Sequence, residues 1–212
     1  MDNVQNLVIA ESRIYDKSTT DRIANWITNY MHGTGYENAK FFFNKFANEI
    51  PPETATVVEF GSQDINGSIR EVIPESVKFV GVDCVSGKNV DIVTSDPYSV
   101  DLPSEYADIV VSSSTLEHVG FFWLLFMEMI RIAKTGGLIY IMAPSCGPYH
   151  PCPVDCWRFY PGAGKALEAW SRKMGHPAEL IYSHISEYEF KLGEEVISGD
   201  QWKDWIAVFK KL

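Results

Sequence analysis

The chain has 212 residues, 46% of them hydrophobic and 13% aromatic, enough to bury one α/β core with appendages and too little for two full domains. Its formal net charge of -10 argues against a protein that tracks a phosphate backbone, which needs a Lys/Arg surface, so no nucleic-acid partner is expected. No apolar run approaches the roughly 20 residues that cross a bilayer, the start MDNVQNLVIAESR lacks a basic n-region and a long apolar core, and four cysteines are too few for a disulfide framework; a cytoplasmic chain with reduced thiols and no membrane contact is expected.

Residues 1–50 carry no motif. Helical spacing of apolar side chains in Asp21–Met31 and Asn38–Ile50, before the Pro51-Pro52 break, predicts a helical cap over 1–50 ahead of a main domain over 51–212. The two-glycine turn between these helices, His32–Glu37, is either an ordinary connection or a segment that folds over a ligand.

The stretch TATVVEFGSQDINGS, Thr54–Ser68, organises the rest of the chain. Thr56, Val57 and Val58 read as a buried parallel strand with Glu59 at its carboxyl end, and Gly61 permits a sharp turn that brings a ligand against main-chain N–H groups. A dinucleotide fingerprint wants glycine at the position of Gln63, and Asp64 would repel a pyrophosphate. Ser68–Ile73 starts a helix that Pro74 closes, its N-terminus aimed at the turn as a seat for a carboxylate. A second apolar strand, Val77–Val82, delivers Asp83, the spacing of an acid that receives a ribose diol, and Asp96 follows VDIVTSD as a third carboxylate. Three strand-end acids with few phosphate-binding features suit a ligand with ribose, adenine and an ammonium or sulfonium charge, as in S-adenosylmethionine.

The fourth strand, from Tyr106 to Ser112, ends in Ser112-Ser113-Ser114-Thr115, a run able to contact such a ligand, to cap the next helix, or both. Glu117 and His118 open that helix. Phe121–Lys134 is apolar nearly all round, which implies burial against the sheet, the cap or a second subunit, so a homodimer is one expectation. Gly136-Gly137 end it, and Leu138–Ala143 form the fifth strand.

EFGSQDING, GVDCVSG, VTSDPYSVDLP, DIVVSSSTLEHV and TGGLIYIMAPS, in this order from about Thr54 to Ser145, resemble the class I S-adenosylmethionine-dependent methyltransferases, in the methyltransferase type 11-like branch with LEHV after the fourth strand. The resemblance implies an α/β, Rossmann-like fold with a mostly parallel seven-stranded sheet closed by an antiparallel hairpin. The connections Cys84–Asn89 and Pro97–Glu105 are too short for the usual crossover helices. It further implies S-adenosyl-L-methionine as cofactor. Gly61, Ser62 and Gln63 then approach its methionyl part, Asp83 its ribose, Asp96, Pro97 and Tyr98 its adenine, and Ser112, Ser113 and His118 its methionyl end, with Glu59 and Cys84 also among the residues that bind it.

The loop SCGPYHPCPVDCWRFYPGAG leaves the fifth strand at the end where open α/β sheets bind ligands. It resembles the H-x-x-P-x-D-x-W-R-F string of methyltransferases linked to sugar or cell-surface glycan modification. Methyl transfer to a hydroxyl needs alignment and a base, and His150 is the candidate, with Asp155 as its orienting partner or an alternate base. Arg158 would hold an anionic or polyhydroxyl acceptor, with Trp157 or Tyr149 stacking on it. Equally, Asp155 and Arg158 pair to stiffen the loop while Trp157 and Phe159 plug the core. Cys146, His150, Cys152 and Cys156 lack a C-x-x-C hairpin, so no metal is expected. A last helix, Gly164–Met174, precedes two closing strands, with Trp202 and Trp205 covering the sheet edge.

These readings give an S-adenosylmethionine-dependent methyltransferase acting on a small-molecule acceptor, most simply an oxygen of a sugar, glycan precursor or related metabolite. The alternatives are a catalytically inactive donor-binding scaffold or regulatory subunit, and an NAD-dependent oxidoreductase or epimerase, which Gln63 and Asp64 disfavour.

Overall fold

The computed structural model describes residues 34–65, 67–186, 190–192, 195–197 and 203–212. In chain order the elements are helix α1 (34–45), β1 (Thr56–Phe60), β2 (Lys78–Asp83), β3 (Ile92–Val93), β4 (Ala107–Ser113), helix α2 (Phe122–Ile132), β5 (Ala133–Cys146), helix α3 (Pro161–Lys173), β6 (Ala178–Ile185), β7 (Phe190–Leu192), β8 (Glu195–Ile197) and β9 (Lys203–Lys211). Seven strands form one sheet in the order β3-β2-β1-β4-β5-β9-β6. The first five run parallel, and β9 is inserted antiparallel between β5 and β6. β7 and β8 make a separate antiparallel pair. This is the mostly parallel, seven-stranded α/β architecture expected from the sequence.

Side chains of period two sort the strands onto two faces. Val58 and Phe60 of β1, Val110 of β4, Ile139 and Ile141 of β5, and Trp205, Ala207 and Phe209 of β9 pack with Leu125, Phe126, Met129 and Ile130 of α2 and Leu167 of α3. Val57, Ile109, Val111, Tyr140, Met142, Ile206 and Val208 point to the opposite face, which α1 covers through Ala39 and Phe42. The Phe42 ring stacks on Tyr140 at 4.6 Å. Because both faces are covered, the central strands are apolar through their middles, at Val57 and Val58, Ile109 to Val111, Leu138 to Ala143 and Trp205 to Phe209.

Several elements differ locally from expectation. Residues 34–37 belong to α1 rather than to a turn; the predicted helix Asp21–Met31 and Trp202 lie outside the described residues. Ser68–Ile73 is not an α-helix but one 3-10 turn, Ile69–Val72, begun by Ser68 Oγ accepting from the Arg70 amide and ended before Pro74. It is too short to carry a helix dipole. Leu116–His118 is likewise a 3-10 turn, so Glu117 and His118 precede α2 instead of opening it. Gly136 and Gly137 sit inside β5, where the register against β4 shifts between the Ala107–Ala133 and Ile109–Leu138 pairs and Gly136 adopts φ +79°. Trp205 does not cover an edge. It is fully buried, because β9 lies between two other strands. The segments joining β2 to β3 and β3 to β4 contain no helix, as their lengths predict.

Candidate active site

All candidate residues sit at or beyond the carboxyl tips of β1 to β5, where a parallel sheet opens a crevice. After β1, Gly61 turns with φ +75°, and a Cβ there would lie 1.9 Å from Thr115 Oγ1. Only glycine meets both demands. Thr115 Oγ1 in turn donates to the Phe60 carbonyl at 3.3 Å and to that of Ser113 at 2.9 Å, which pins the Leu116–His118 turn to the end of β1. It makes no helix-capping bond.

The turn after β1 differs in one respect from expectation: its amides are already used. Those of Gly61 and Ser62 donate to the Val82 carbonyl, that of Gln63 to Asp83 Oδ2 at 3.0 Å, and that of Asp64 to the Lys88 carbonyl. These four amides form no cradle facing a ligand, which removes the features a pyrophosphate requires. Asp83 faces the turn, its Oδ1 also accepting from Val85 at 3.1 Å. Asp64 is paired with Lys88 at 2.5 Å. Gln63 packs against Gly87, filling the space that a glycine in its place would leave open.

The electrostatics tie these groups together. Glu59 is buried, its Oε2 without a hydrogen-bond partner among the described residues, and burial, then Asp64 and Asp83, push its carboxyl up to about 8. The Cys84 thiol, though exposed, is raised by desolvation and by Asp83 and Asp96. Asp96 Oδ1 accepts from the Tyr98 amide at 2.9 Å, and the Tyr98 hydroxyl, past Pro97, accepts from the Phe121 amide at 3.2 Å. Ser112 pairs with Phe60 in the sheet and is fully buried, with Ser113 beyond it at the tip of β4. Thus Glu59, Gly61, Ser62, Gln63, Asp83 and Cys84 gather at the β1 and β2 tips, Asp96 to Tyr98 flank them, and Ser112 and Ser113 close the far side.

The second half of the site is built by the loop after β5 folding back over the Leu116–His118 turn. The Cys156 amide donates to the Glu117 carbonyl at 2.7 Å, and Trp157 Nε1 to that of Val119 at 3.0 Å. Phe159 anchors the return, buried and stacked on Trp205 at 5.3 Å. Trp157 packs edge-on against Phe122, whereas Tyr149 is exposed. Arg158 grips Asp155 with both terminal nitrogens, at 2.5 and 2.7 Å, and also donates to the carbonyls of Trp157 and Pro148. Asp155 receives the His150 amide at 2.9 Å and lies 3.3 Å from His150 Nδ1. Burial raises the Asp155 carboxyl, but the bonds from Arg158 and His150 outweigh it and hold the group below the ordinary range.

His150 meets His118 edge-to-face, ring centroids 5.1 Å apart. Glu117 lies beneath them, fully buried, and burial pushes its carboxyl up to about 8, although its own backbone amide opposes this. The His118 imidazole is lowered, first by burial. This meeting of Glu117 and His118 with His150 was not legible locally, because it depends on where the loop after β5 lands.

A parallel sheet with β9 inserted antiparallel, a glycine turn after β1 and an acid at the tip of β2 define the class I, Rossmann-like methyltransferase fold. More particularly, residues 64–141 match the family model described as a methyltransferase domain, a span that takes in Asp83, Asp96, Ser112 and His118 and stops before His150. Described as an uncharacterized methyltransferase, a protein of Mycobacterium bovis (strain BCG / Pasteur 1173P2) is 32% identical over 100 residues, 46% of this chain, and the match spans 38% of that relative's length. A counterpart in Mycobacterium tuberculosis (strain ATCC 25618 / H37Rv) is 31% identical over the same share. Among solved structures, the YcgJ protein of Bacillus subtilis superimposes with TM-score 0.58 at 12% identity, covering 82% of this chain and 98% of its own. The 1,6-didemethyltoxoflavin-N1-methyltransferase of Burkholderia thailandensis, solved with 1,6-didemethyltoxoflavin and S-adenosylhomocysteine bound, gives 0.59 at 11% identity over 85% of this chain and 79% of its own. At such identities the likeness is one of fold.

Proposed function

We propose that the chain is an S-adenosylmethionine-dependent methyltransferase that methylates an oxygen of a small polar acceptor, a sugar, glycan precursor or related metabolite, in the cytoplasm. The observation that carries this reading is the acidic crevice at the β1 and β2 tips. The Asp83 carboxylate and the enclosed Glu59 carboxyl, which a cation beside it would ionise, line a turn whose amides are committed elsewhere. Such a lining favours a cationic nucleoside and disfavours a dinucleotide. The methyltransferase-domain match and the S-adenosylhomocysteine held by the Burkholderia structure support the same donor.

Bound there, S-adenosylmethionine supplies a methyl group already activated on a sulfonium. What remains for the protein is to orient and to remove a proton. Asp83 would accept from the ribose hydroxyls with the lone pairs not used by Gln63 and Val85. Ser112 and Ser113 would border the methionyl end. The acceptor oxygen would face the group formed by Glu117, His118 and His150, with Asp155 positioning His150 and Arg158 acting through Asp155. The likeness of the 150–159 loop to the sugar-linked string supports a polyhydroxyl acceptor.

Titration calorimetry with S-adenosylhomocysteine tests the donor site. Asp83→Asn, which keeps the oxygen bonded to the Gln63 amide, is expected to lower affinity by about tenfold or more, roughly 1.4 kcal/mol. Unchanged affinity would remove Asp83 from the site, and stabilisation by NAD in its place would overturn the donor. Donor consumption across a metabolite library then separates an enzyme from an inactive scaffold.

A further inference from the structure

One ligand-capable atom each of Glu117, His118 and His150 lies within 4.8 Å of the other two. The surroundings decide which atoms these are. His118 Nδ1 is 2.5 Å from the Val154 carbonyl and His150 Nδ1 is 3.0 Å from that of Pro148. A carbonyl only accepts, so each neutral ring carries its proton on Nδ1 and its lone pair on Nε2. His118 Nε2 stands 3.7 Å from Glu117 Oε1. Both Glu117 oxygens are enclosed, and apart from the approach of Glu117's own amide neither has a hydrogen-bond partner among the described residues. Acceptors turned toward one another in a closed space repel unless a proton or a cation lies between them. Two further carboxylates, Asp204 and Asp155, bear on Glu117 against the single guanidinium of Arg158.

We propose that Glu117, His118 and His150 bind a divalent transition-metal ion of the zinc class. Two imidazoles and one carboxylate form a donor set that leaves a coordination position open to an outside oxygen. With bonds of about 2.1 Å, a tetrahedral site has edges of roughly 3.4 Å, so the 3.7 Å edge between Glu117 and His118 needs little contraction, while the remaining edges, none above 4.8 Å, close by side-chain rotation as the ion enters. The main-chain carbonyls at both Nδ1 atoms are the outer partners that orient metal-binding imidazoles. Binding of the ion is independent of the donor. Its role rests on the methyltransferase reading: an acceptor hydroxyl on the open position would be made more acidic by the ion and would lose its proton to solvent. Its oxygen would take the methyl group as the sulfonium bond breaks to leave S-adenosylhomocysteine, and His150 would serve as a ligand rather than as the base.

The experiment uses the full chain, stripped with a chelator and free of donor, titrated with cobalt(II) or zinc(II) chloride. One ion per chain is expected, with the visible absorption of four- or five-coordinate cobalt. Glu117→Gln and His150→Gln, each checked for native circular dichroism, should weaken binding by at least about the 10–100-fold that loss of an outer partner costs. The Cys152→Ser/Cys156→Ser variant, which removes two exposed thiols, should bind as the parent does. No bound ion would overturn the proposal, as would binding that survives both ligand variants or a thiolate-to-cobalt band lost with the cysteines. A parallel titration with S-adenosylhomocysteine keeps the two readings apart, since metal-free protein that binds it while taking up no ion rejects the metal site alone.

Discussion

Glu59 shows what a single buried carboxyl contributes to such a site. Enclosed at the end of β1 and flanked by Asp64 and Asp83, it is held up to about 8 and carries its proton at neutral pH. A cationic donor beside it favours the ionised form, so binding should expel a proton. Calorimetry at pH 7 in buffers of differing ionisation heat should therefore register proton release, and Glu59→Gln should abolish it. A binding enthalpy independent of buffer would sink this account. The presence of an acid at this strand end is readable from the sequence, but its protonation state is not, because it depends on burial and on two carboxylates from other segments.

At the scale of elements, the turn after β1 depends on a positive φ at Gly61 and the loop after β5 on the Arg158–Asp155 pair. Gly61→Ala forces an L-residue into φ +75°, at about 1–3 kcal/mol, and overlaps Thr115, at about 1–3 kcal/mol more. Urea unfolding should show the sum, and adding Thr115→Ala should recover only part of the overlap share, because Thr115 Cβ would still lie 2.8 Å from the new atom. Arg158→Ala leaves Asp155, nearly fully buried, without its guanidinium. A loss of about 3–5 kcal/mol is expected by the same measurement, and a loss below 1 kcal/mol would mean that the pair does not hold the loop. Strand tips are legible in the sequence because each ends an apolar run with a polar or glycine residue. Element type between β1 and β2 is not, since the spacing of Ile69, Val72 and Ile73 suits a 3-10 turn as well as an α-helix and the short segment decides.

For the whole molecule, Glu59 and Glu117 impose a common pH trend. Both carboxyls are raised to about 8 in the folded chain, so the native state binds more protons than the unfolded one above pH 4.5. Their contribution to stability is complete below pH 4.5 and is lost as pH rises through 8. The melting temperature of metal-free protein should fall across that window, with Glu59→Gln and Glu117→Gln each flattening the slope. The sheet is legible from its period-two pattern and from the order of its motifs. The burial of Trp205 is not, because the last strand's insertion between β5 and β6 is a long-range pairing that no local pattern announces.

The central position of β1 also determines how the protein can be dissected. The stretch that matches the methyltransferase-domain model, 64–141, begins after that strand and stops within β5. A fragment cut to those limits would lack the strand that joins β2 to β4, leaving each with an open hydrogen-bonding edge that invites polymerisation. It would also lose α1, whose Asn38 reaches Asp204 at the start of β9, and with it the cover over half the apolar sheet. The matched segment thus takes in only part of the crevice, and the smallest piece that can hold it open extends well beyond that segment on both sides.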